Sequence, residues 1–168
     1  MSVYPGQVFE FSHGALIFRA TIEPDHDAGA PWENADGHGT VRRTEERNNI
    51  TKRPGEVVLH AGDRGEYNYV YDFSAAVRTA RVDGWGSALL GETEGQRAVR
   101  AVRADMEFLR GWCAGDWCYV GAVVELLDDA GEPLPDTVAS LWSCESCGDY
   151  VESTIVLELA EEILLTLG

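Results

Sequence analysis

The stretch YVGAVVELL at residues 119–127, followed by DDAGEP at 128–133, predicts the element around which the second half of the chain folds. Its nine leading residues are almost all apolar, a composition typical of a buried strand, and we expect that strand to run from Asp116 to Leu127. The Asp, Gly and Pro that follow favour a turn. A second apolar stretch at about 137–143 predicts the returning strand, so we expect an antiparallel hairpin here.

A matching hairpin is predicted near the start, where Val8 to Ile22 alternates apolar and polar residues around His13-Gly14. Two further strands are expected at 57–59 and 67–71. Residues 23–55, between the first hairpin and the strand at 57–59, form a long polar loop rich in Asp, Gly, Asn and Pro, and we expect the least order there.

Three helices complete the set. Asp72 is an expected N-cap for a helix over 73–82, and Thr93 with Gln96 forms a capping box for a helix to about Leu109 or Arg110. Asp149 or Ser153 can cap a last helix to Leu167. The sequence thus predicts a single α+β domain over residues 1–168, with a largely antiparallel sheet built from two hairpins and about three helices packed on it.

The charge is unevenly distributed along the chain. Residues 104–168 contain fourteen Asp and Glu against Arg110 alone, which accounts for −13 of the formal net charge of −16. Such a surface repels nucleic-acid phosphates and anionic membranes, so the expected partner is a basic, nucleic-acid-binding protein, without direct nucleic-acid or membrane contact. The predicted partner-binding residues are Asp128, Asp129, Glu132, Asp149, Glu152, Glu158, Glu161 and Glu162.

Four cysteines form two pairs, Cys113 with Cys118 and Cys144 with Cys147. Four thiolates could hold a structural zinc ion, but the first pair is spaced more widely than a common zinc knuckle. Free thiols that behave as small apolar side chains are the favoured alternative. Apart from this structural zinc, no cofactor is expected.

The polar loop also collects metal-ligating residue types: Asp25, His26 and Asp27, with Asp36 and His38 further along. Mixed imidazole and carboxylate clusters bind divalent metals and can support hydrolysis. Polar loops also gather these residues because they solvate well. The sequence contains no G-x-S-x-G, Walker A, H-E-x-x-H or dinucleotide-binding motif.

Arginines and tryptophans are further candidate binding residues. The row Arg97, Arg100, Arg103 and Arg110 on the second helix is expected to pair with the acidic half, Arg103 with Glu107, and not with phosphate. Most of the five tryptophans are expected in the core. Trp32, in the polar loop, is the expected exposed anchor.

Three stretches carry a resemblance: DGHG at 36–39, RGEYNYVYDFSAAVRTARVDGW at 64–85 and GETEGQRAVRAV at 91–102. They resemble a family of small acidic proteins carried by bacteriophages and prophages of GC-rich bacteria. The resemblance implies a setting and no reaction. In that setting, small acidic proteins are similar to anti-defence factors, the inhibitors of CRISPR or restriction complexes, some of which imitate DNA.

Three functional hypotheses therefore follow from the sequence. The favoured one is a non-enzymatic inhibitor that presents carboxylates where a host defence complex expects phosphates. The alternatives are a small metal-dependent hydrolase that acts on a nucleotide through the Asp25–His38 loop, and a zinc-stapled accessory protein. The sequence lacks a basic stretch followed by an apolar one at its start and any apolar run of about 18 residues, so we expect a cytoplasmic location in the host cell.

Overall fold

The computed structural model describes residues 2–34, 37–46, 49–63 and 67–168. The chain folds as two compact units. Unit 1 combines residues 1–28 with 117–168, and unit 2 consists of residues 29–116. Each unit contains one antiparallel sheet, which confirms the predicted α+β class, although two sheets in separate units were not predicted from the sequence.

Unit 1 is a four-stranded sheet with one long helix against it. The strand order is β1-β2-β6-β7, and every neighbouring pair is antiparallel. A π-helical turn at Val151–Ile155 leads into the helix α4. The elements are β1 (Val8–His13), β2 (Leu16–Pro24), β6 (Tyr119–Leu127), β7 (Pro133–Glu145) and α4 (Val156–Leu167).

The core of unit 1 lies between α4 and the sheet. Phe18, Ile22, Val120 and Val124 are fully buried on the central strands, opposite Val156 on the helix. Both predicted hairpins are present, and β2 of the first pairs with β6 of the second. That pairing joins residues about a hundred positions apart in sequence, so no local pattern could predict it.

Unit 2 pairs a three-stranded sheet, ordered β3-β5-β4, with two helices. Predicted strands, caps and helix starts are confirmed: Asp72 accepts from the Ala75 N–H, and Thr93 and Gln96 form the capping box. The elements are α1 (Pro31–Asn34), β3 (Val41–Thr44), β4 (Glu56–His60), β5 (Asn68–Asp72), α2 (Phe73–Asp83) and α3 (Glu94–Ala114).

Several boundaries differ from those predicted from the sequence. Strand β6 begins at Tyr119 instead of Asp116, and β7 begins at Pro133 instead of about Thr137. The last helix has no side-chain cap from Asp149 or Ser153.

Helix α3 continues to Ala114, one turn past the expected end, and stops where Gly115 adopts a left-handed conformation. Residues 23–55, expected as a long polar loop, contain the end of β2, the short helix α1 and strand β3. No helix among the described residues is long and apolar enough to cross a membrane.

Candidate functional site

The charge of the protein follows the division into units. Unit 1 contains fifteen Asp and Glu and one basic residue, Arg19, for a formal charge of −14. Unit 2 contains fourteen Asp and Glu and twelve Lys and Arg, for a formal charge of −2. Unit 1 is therefore a polyanion, while unit 2 carries nearly balanced charge.

Arg19 offsets little of the negative charge of unit 1. Its guanidinium group lies 3.0 Å from a carboxylate oxygen of Glu10 and donates a second hydrogen bond to the Gly131 carbonyl. The imidazole of His13 lies 3.7 Å from Glu161. The other carboxylates of the unit therefore have no Lys or Arg of their own unit to neutralise them.

All eight predicted partner-binding acids lie in unit 1, at three places. One group is in the β6–β7 turn, one precedes α4, and one lies on α4 itself. Every member is exposed except Glu152, which is half-buried. In the same order, the groups are Asp128, Asp129 and Glu132; Asp149 and Glu152; and Glu158, Glu161 and Glu162.

The α4 group is the most regular of the three. Glu161 and Glu162 follow Glu158 by three and four positions, which puts the three side chains on the same side of a helix. The opposite side of α4 is buried through Val156, Leu159 and other apolar residues. The expected solvent-facing position of these three glutamates is thus confirmed.

Two of the eight acids also have structural tasks. Oδ1 of Asp128 accepts the N–H groups of Ala130 and Glu132 at 2.8 and 2.9 Å, which closes the β6–β7 turn. Glu152 accepts a hydrogen bond from the Gln7 side chain at 3.2 Å. Substitution of these two residues would therefore disturb local structure as well as surface charge.

The structure does not place the proposed Asp25–His38 set within one unit. Asp25, His26 and Asp27 follow β2 in unit 1, whereas His38 belongs to unit 2. Asp36 lies outside the described residues. No group of three or more His, Cys, Asp or Glu suited to a metal ion occurs among residues 2–34, 37–46, 49–63 and 67–168.

His38 instead joins a buried network around Asp105 of α3. Its Nδ1 lies 2.5 Å from Asp105 Oδ1, and its ring stacks on Phe108. Oδ2 of Asp105 accepts the Gly39 N–H at 2.9 Å and the hydroxyl of Tyr71, which is fully buried on β5, at 2.6 Å. The Asp105 carboxylate thus ties the segment after α1 to β5 and α3.

The pKa values in this network follow from burial and hydrogen bonding. Burial by itself would raise the pKa of Asp105, but hydrogen bonds from His38, Tyr71 and Gly39 outweigh it and hold that pKa below its ordinary value. Burial, and then the bond to Asp105, raises the pKa of Tyr71 well above its usual range. The hydroxyl therefore stays protonated and donates to an ionised carboxylate.

Sequence reasoning missed Asp105, although a signal for it exists. The buried residues of α3 are Ala98, Val102, Met106 and Leu109, as its apolar periodicity predicted. Asp105 stands three positions after Val102 and four before Leu109, which puts a carboxylate on the inward face of the helix. An acid at such a position needs buried hydrogen-bond donors.

The four cysteines are divided between the units. Cys113, on α3, packs against the core of unit 2, and burial raises its pKa to about 11. Cys144 is buried in unit 1 and Cys118 packs beside that core. All four, Cys147 included, are free thiols. The structural zinc ion stays a prediction from sequence.

The expected pairing of the arginine row is found with different partners. Arg100 pairs with Glu92 at 2.8 Å, so its partner comes from the first half of the chain. Arg110 pairs with Glu107, the residue expected opposite Arg103. Arg110 also donates to the carbonyls of Val58 and Leu59, which fixes α3 against β4.

The expectation for the tryptophans is wrong at two positions. Trp32 is half-buried between Tyr69 and Trp112, at ring-centre distances of 5.0 and 5.3 Å. Trp142 of β7, expected in the core, is 45% exposed. The exposed tryptophan therefore lies in the acidic unit 1.

No protein-family model, curated protein or solved structure matches the chain.

Proposed function

We propose that the protein is a non-enzymatic, phage-encoded inhibitor that binds a basic, nucleic-acid-handling host complex through unit 1. The observation that carries the proposal is the charge of −14 on a unit whose one basic residue, Arg19, is already paired. In this proposal the exposed carboxylates take the places that phosphates occupy in the partner's substrate.

A concentrated negative charge costs stability, and it is useful where a basic surface has to be bound. Like charges held on one folded surface repel each other and destabilise the fold. A surface that recognises nucleic acid is lined with Lys and Arg. A polyanionic protein is attracted to that surface by the same electrostatic interaction that phosphates make. The glutamates of α4, Glu158, Glu161 and Glu162, suit this role because they are exposed and lie outside the buried face of the helix.

The choice of partner comes from the sequence resemblance to small acidic phage and prophage proteins. In that setting the nucleic-acid-handling complexes worth blocking are those of host defence, CRISPR or restriction systems. The proposal therefore names the class of target, a basic nucleic-acid-binding complex of the host cytoplasm, and expects no direct contact with nucleic acid.

The test compares two charge reversals of equal size. One variant changes Glu158, Glu161 and Glu162 of unit 1 to Lys. The control changes three exposed acids of unit 2 to Lys: Glu45, Asp83 and Asp116. Both variants have the same net charge, so a difference in binding reports where the charge lies.

Tagged forms of the three proteins are used to purify partners from nuclease-treated lysates of cells with CRISPR and restriction systems, with washes of increasing salt. The wild type and the unit 2 control should retain the same nucleic-acid-binding complex, in a salt-sensitive manner. The α4 variant should lose it. Equal retention by all three proteins would contradict the proposal.

The hydrolase alternative now depends on one observation, the pairing of His38 with the buried Asp105. A carboxylate on Nδ1 fixes the tautomer that leaves Nε2 as a base, an arrangement that general bases use. Loss of nucleotide hydrolysis in His38→Gln, with an unchanged melting temperature, would support this alternative. Hydrolysis that is absent from the wild type would remove it.

A further inference from the structure

A β-bulge in unit 1 exposes Trp142. Val120 pairs with Cys144 and Ala122 with Leu141, so Gly121 alone faces two residues of β7, Trp142 and Ser143. Bulges of this kind redirect a side chain out of the regular alternation and recur beside functional sites. Here the bulge lies at the end of the sheet where β2 stops at Pro24.

The indole of Trp142 lies close against the backbone of Gly121. A Cβ atom at position 121 would stand 2.4 Å from the ring, so the close approach requires glycine. The side chain is nonetheless 45% exposed. One part of the indole is thus supported by backbone, and the rest is open to a binding partner.

The residue after Trp142 is held in an unfavourable conformation by an acid from the segment that follows β2. Ser143 has φ of 57°, a left-handed value that is uncommon outside glycine. Its N–H and hydroxyl both donate to Oδ2 of Asp25, at 2.8 and 3.3 Å. Oδ1 of Asp25 accepts the N–H of Asp27 at 3.1 Å. Asp25 therefore fixes both walls of a cleft.

That cleft has a volume of about 550 Å³. Its lining combines one open aromatic ring with two carboxylates, and it contains no Lys or Arg; the residues are Pro24, Asp25, His26, Asp27, Trp142 and Ser143. The carboxylate of Asp27 is exposed. An aromatic face beside carboxylates, in a unit of charge −14, is complementary to a cation.

We propose that this cleft binds the guanidinium group of an arginine side chain from the protein partner. Guanidinium is favoured over ammonium because it is planar, stacks on an indole and can donate two parallel hydrogen bonds to a carboxylate. The proposal rests on the proposed function, since that function supplies a partner rich in arginine. It adds a specific anchor to a surface otherwise defined by charge.

The binding test uses a blocked arginine, N-acetyl-arginine methylamide, as the probe. Its neutral isostere, the citrulline analogue, serves as the ligand control. Binding is followed by NMR, through the indole N–H of Trp142 and the backbone N–H signals of Asp27 and Ser143. Arginine should give a saturable shift at these three signals, with a Kd on the order of millimolar, and citrulline should give none.

Two variants locate the site. Trp142→Leu keeps an apolar cover over Gly121, and Asp27→Asn removes one exposed charge; each should weaken binding about threefold or more. Asp136→Asn is the matched control, since Asp136 is an exposed acid of unit 1 that is not among the predicted partner-binding residues and stands six residues before Trp142 on β7, about 20 Å along the strand. It should leave the Kd unchanged.

Three results would overturn the inference: no saturable shift at Trp142, equal shifts with citrulline, or equal weakening by Asp27→Asn and Asp136→Asn. The last would mean that arginine follows the overall charge and has no particular cleft. The proposed function fails on a different result, unchanged partner retention by the α4 charge-reversal variant. Arginine binding at Trp142 combined with that result would support the cleft and contradict the phosphate-surrogate role of α4.

Discussion

Units 1 and 2 are both built from an antiparallel sheet and helices, and they contain almost the same number of carboxylates. In unit 2 the acids stand opposite arginines: Glu56 lies 2.9 Å from Arg42, and Glu92 lies 2.8 Å from Arg100. Unit 1 offers its fifteen acids only Arg19. The comparison teaches that acid content by itself does not make a polyanionic surface, because the distribution of arginine decides it.

The two units also differ in what their best-placed acids do. Asp105 of unit 2 is nearly buried and satisfies three donors, so it holds structure together. In unit 1, Glu158, Glu161 and Glu162 are exposed on a helix whose other side fills the core. Substitutions in unit 2 should therefore affect stability first, and those in unit 1 should affect binding first.

The largest effect on stability is expected from Asp105→Ala. It leaves the Tyr71 hydroxyl, the Gly39 N–H and the His38 Nδ1 without their acceptor. Unpaired buried groups of this kind cost about 1–3 kcal/mol each, so unit 2 should lose about 3–5 kcal/mol in urea unfolding. Asp129→Ala, at an exposed turn of unit 1, is the control and should change stability by less than about 0.5 kcal/mol. Equal losses would refute the structural role of Asp105.

A pair of glycine substitutions compares the two units more directly. At both Gly39 and Gly121 an added Cβ would stand within 2.4 Å of an aromatic side chain. At Gly39 that side chain is the buried Tyr71, tethered to Asp105, whereas at Gly121 it is the half-exposed Trp142, which can rotate into solvent. Gly39→Ala should cost about 3 kcal/mol and Gly121→Ala about 1 kcal/mol.

Urea unfolding measures both variants, and a tryptophan NMR spectrum of Gly121→Ala should show the Trp142 signal moved. A Gly121→Ala cost as large as that of Gly39→Ala would mean that Trp142 is fixed in place, contrary to its exposure.

Acidic pH should weaken the stabilising contribution of the ion pair between Arg42 and Glu56 in unit 2. The hydrogen bond from Arg42, followed by that from the Arg53 N–H, lowers the pKa of Glu56 from 4.5 to about 2. The unfolded chain then binds this proton at higher pH than the folded one, so the contribution is complete above about pH 4.5 and is lost as pH falls toward about 2. The difference in urea midpoint between wild type and Glu56→Gln should shrink over that range. A difference independent of pH would contradict the assignment.

Salt should produce the smallest effect, and its effect on stability should differ between the two units. Screening lengths fall from about 10 Å at 0.1 M salt to about 3 Å at 1 M, which weakens repulsion among the exposed acids of unit 1. Amide-exchange protection should therefore rise more in β6 and α4 than in β4 and β5, where Arg42 and Glu56 attract each other. Parallel changes in both units would show that repulsion in unit 1 is negligible.

Much of the local structure could be predicted from the sequence because its signals are local. The Asp72 cap, the Thr93–Gln96 box and the inward face of α3 are short-range patterns that the structure confirms. The pairing of β2 with β6 depends on contacts distant in sequence. It joins the two hairpins into one sheet and leaves β3, β4 and β5 to form a second sheet in the other unit. The expected exposure of Glu158, Glu161 and Glu162 followed from helical periodicity in the same way.

The Trp142 cleft could not be predicted, because it depends on where a bulge falls. Regular alternation along β7 would not identify Trp142 as an exposed ring over Gly121; the extra residue between Leu141 and Cys144 does so. Asp25 was noted as a metal-ligating type, yet its task is to hold Ser143. The sequence draws attention to Asp25, but only the fold shows that its partner is Ser143.

The most direct test of the account is competition for a nucleic-acid-binding complex. A labelled DNA duplex is bound to the complex that the affinity purification identifies, and each protein is added while the anisotropy of the duplex is followed. The account predicts that the wild type and the Glu45, Asp83, Asp116 reversal displace the duplex equally, while the Glu158, Glu161, Glu162 reversal does not. Displacement by all three proteins at the same concentration would contradict the claim that unit 1 takes the place of phosphates.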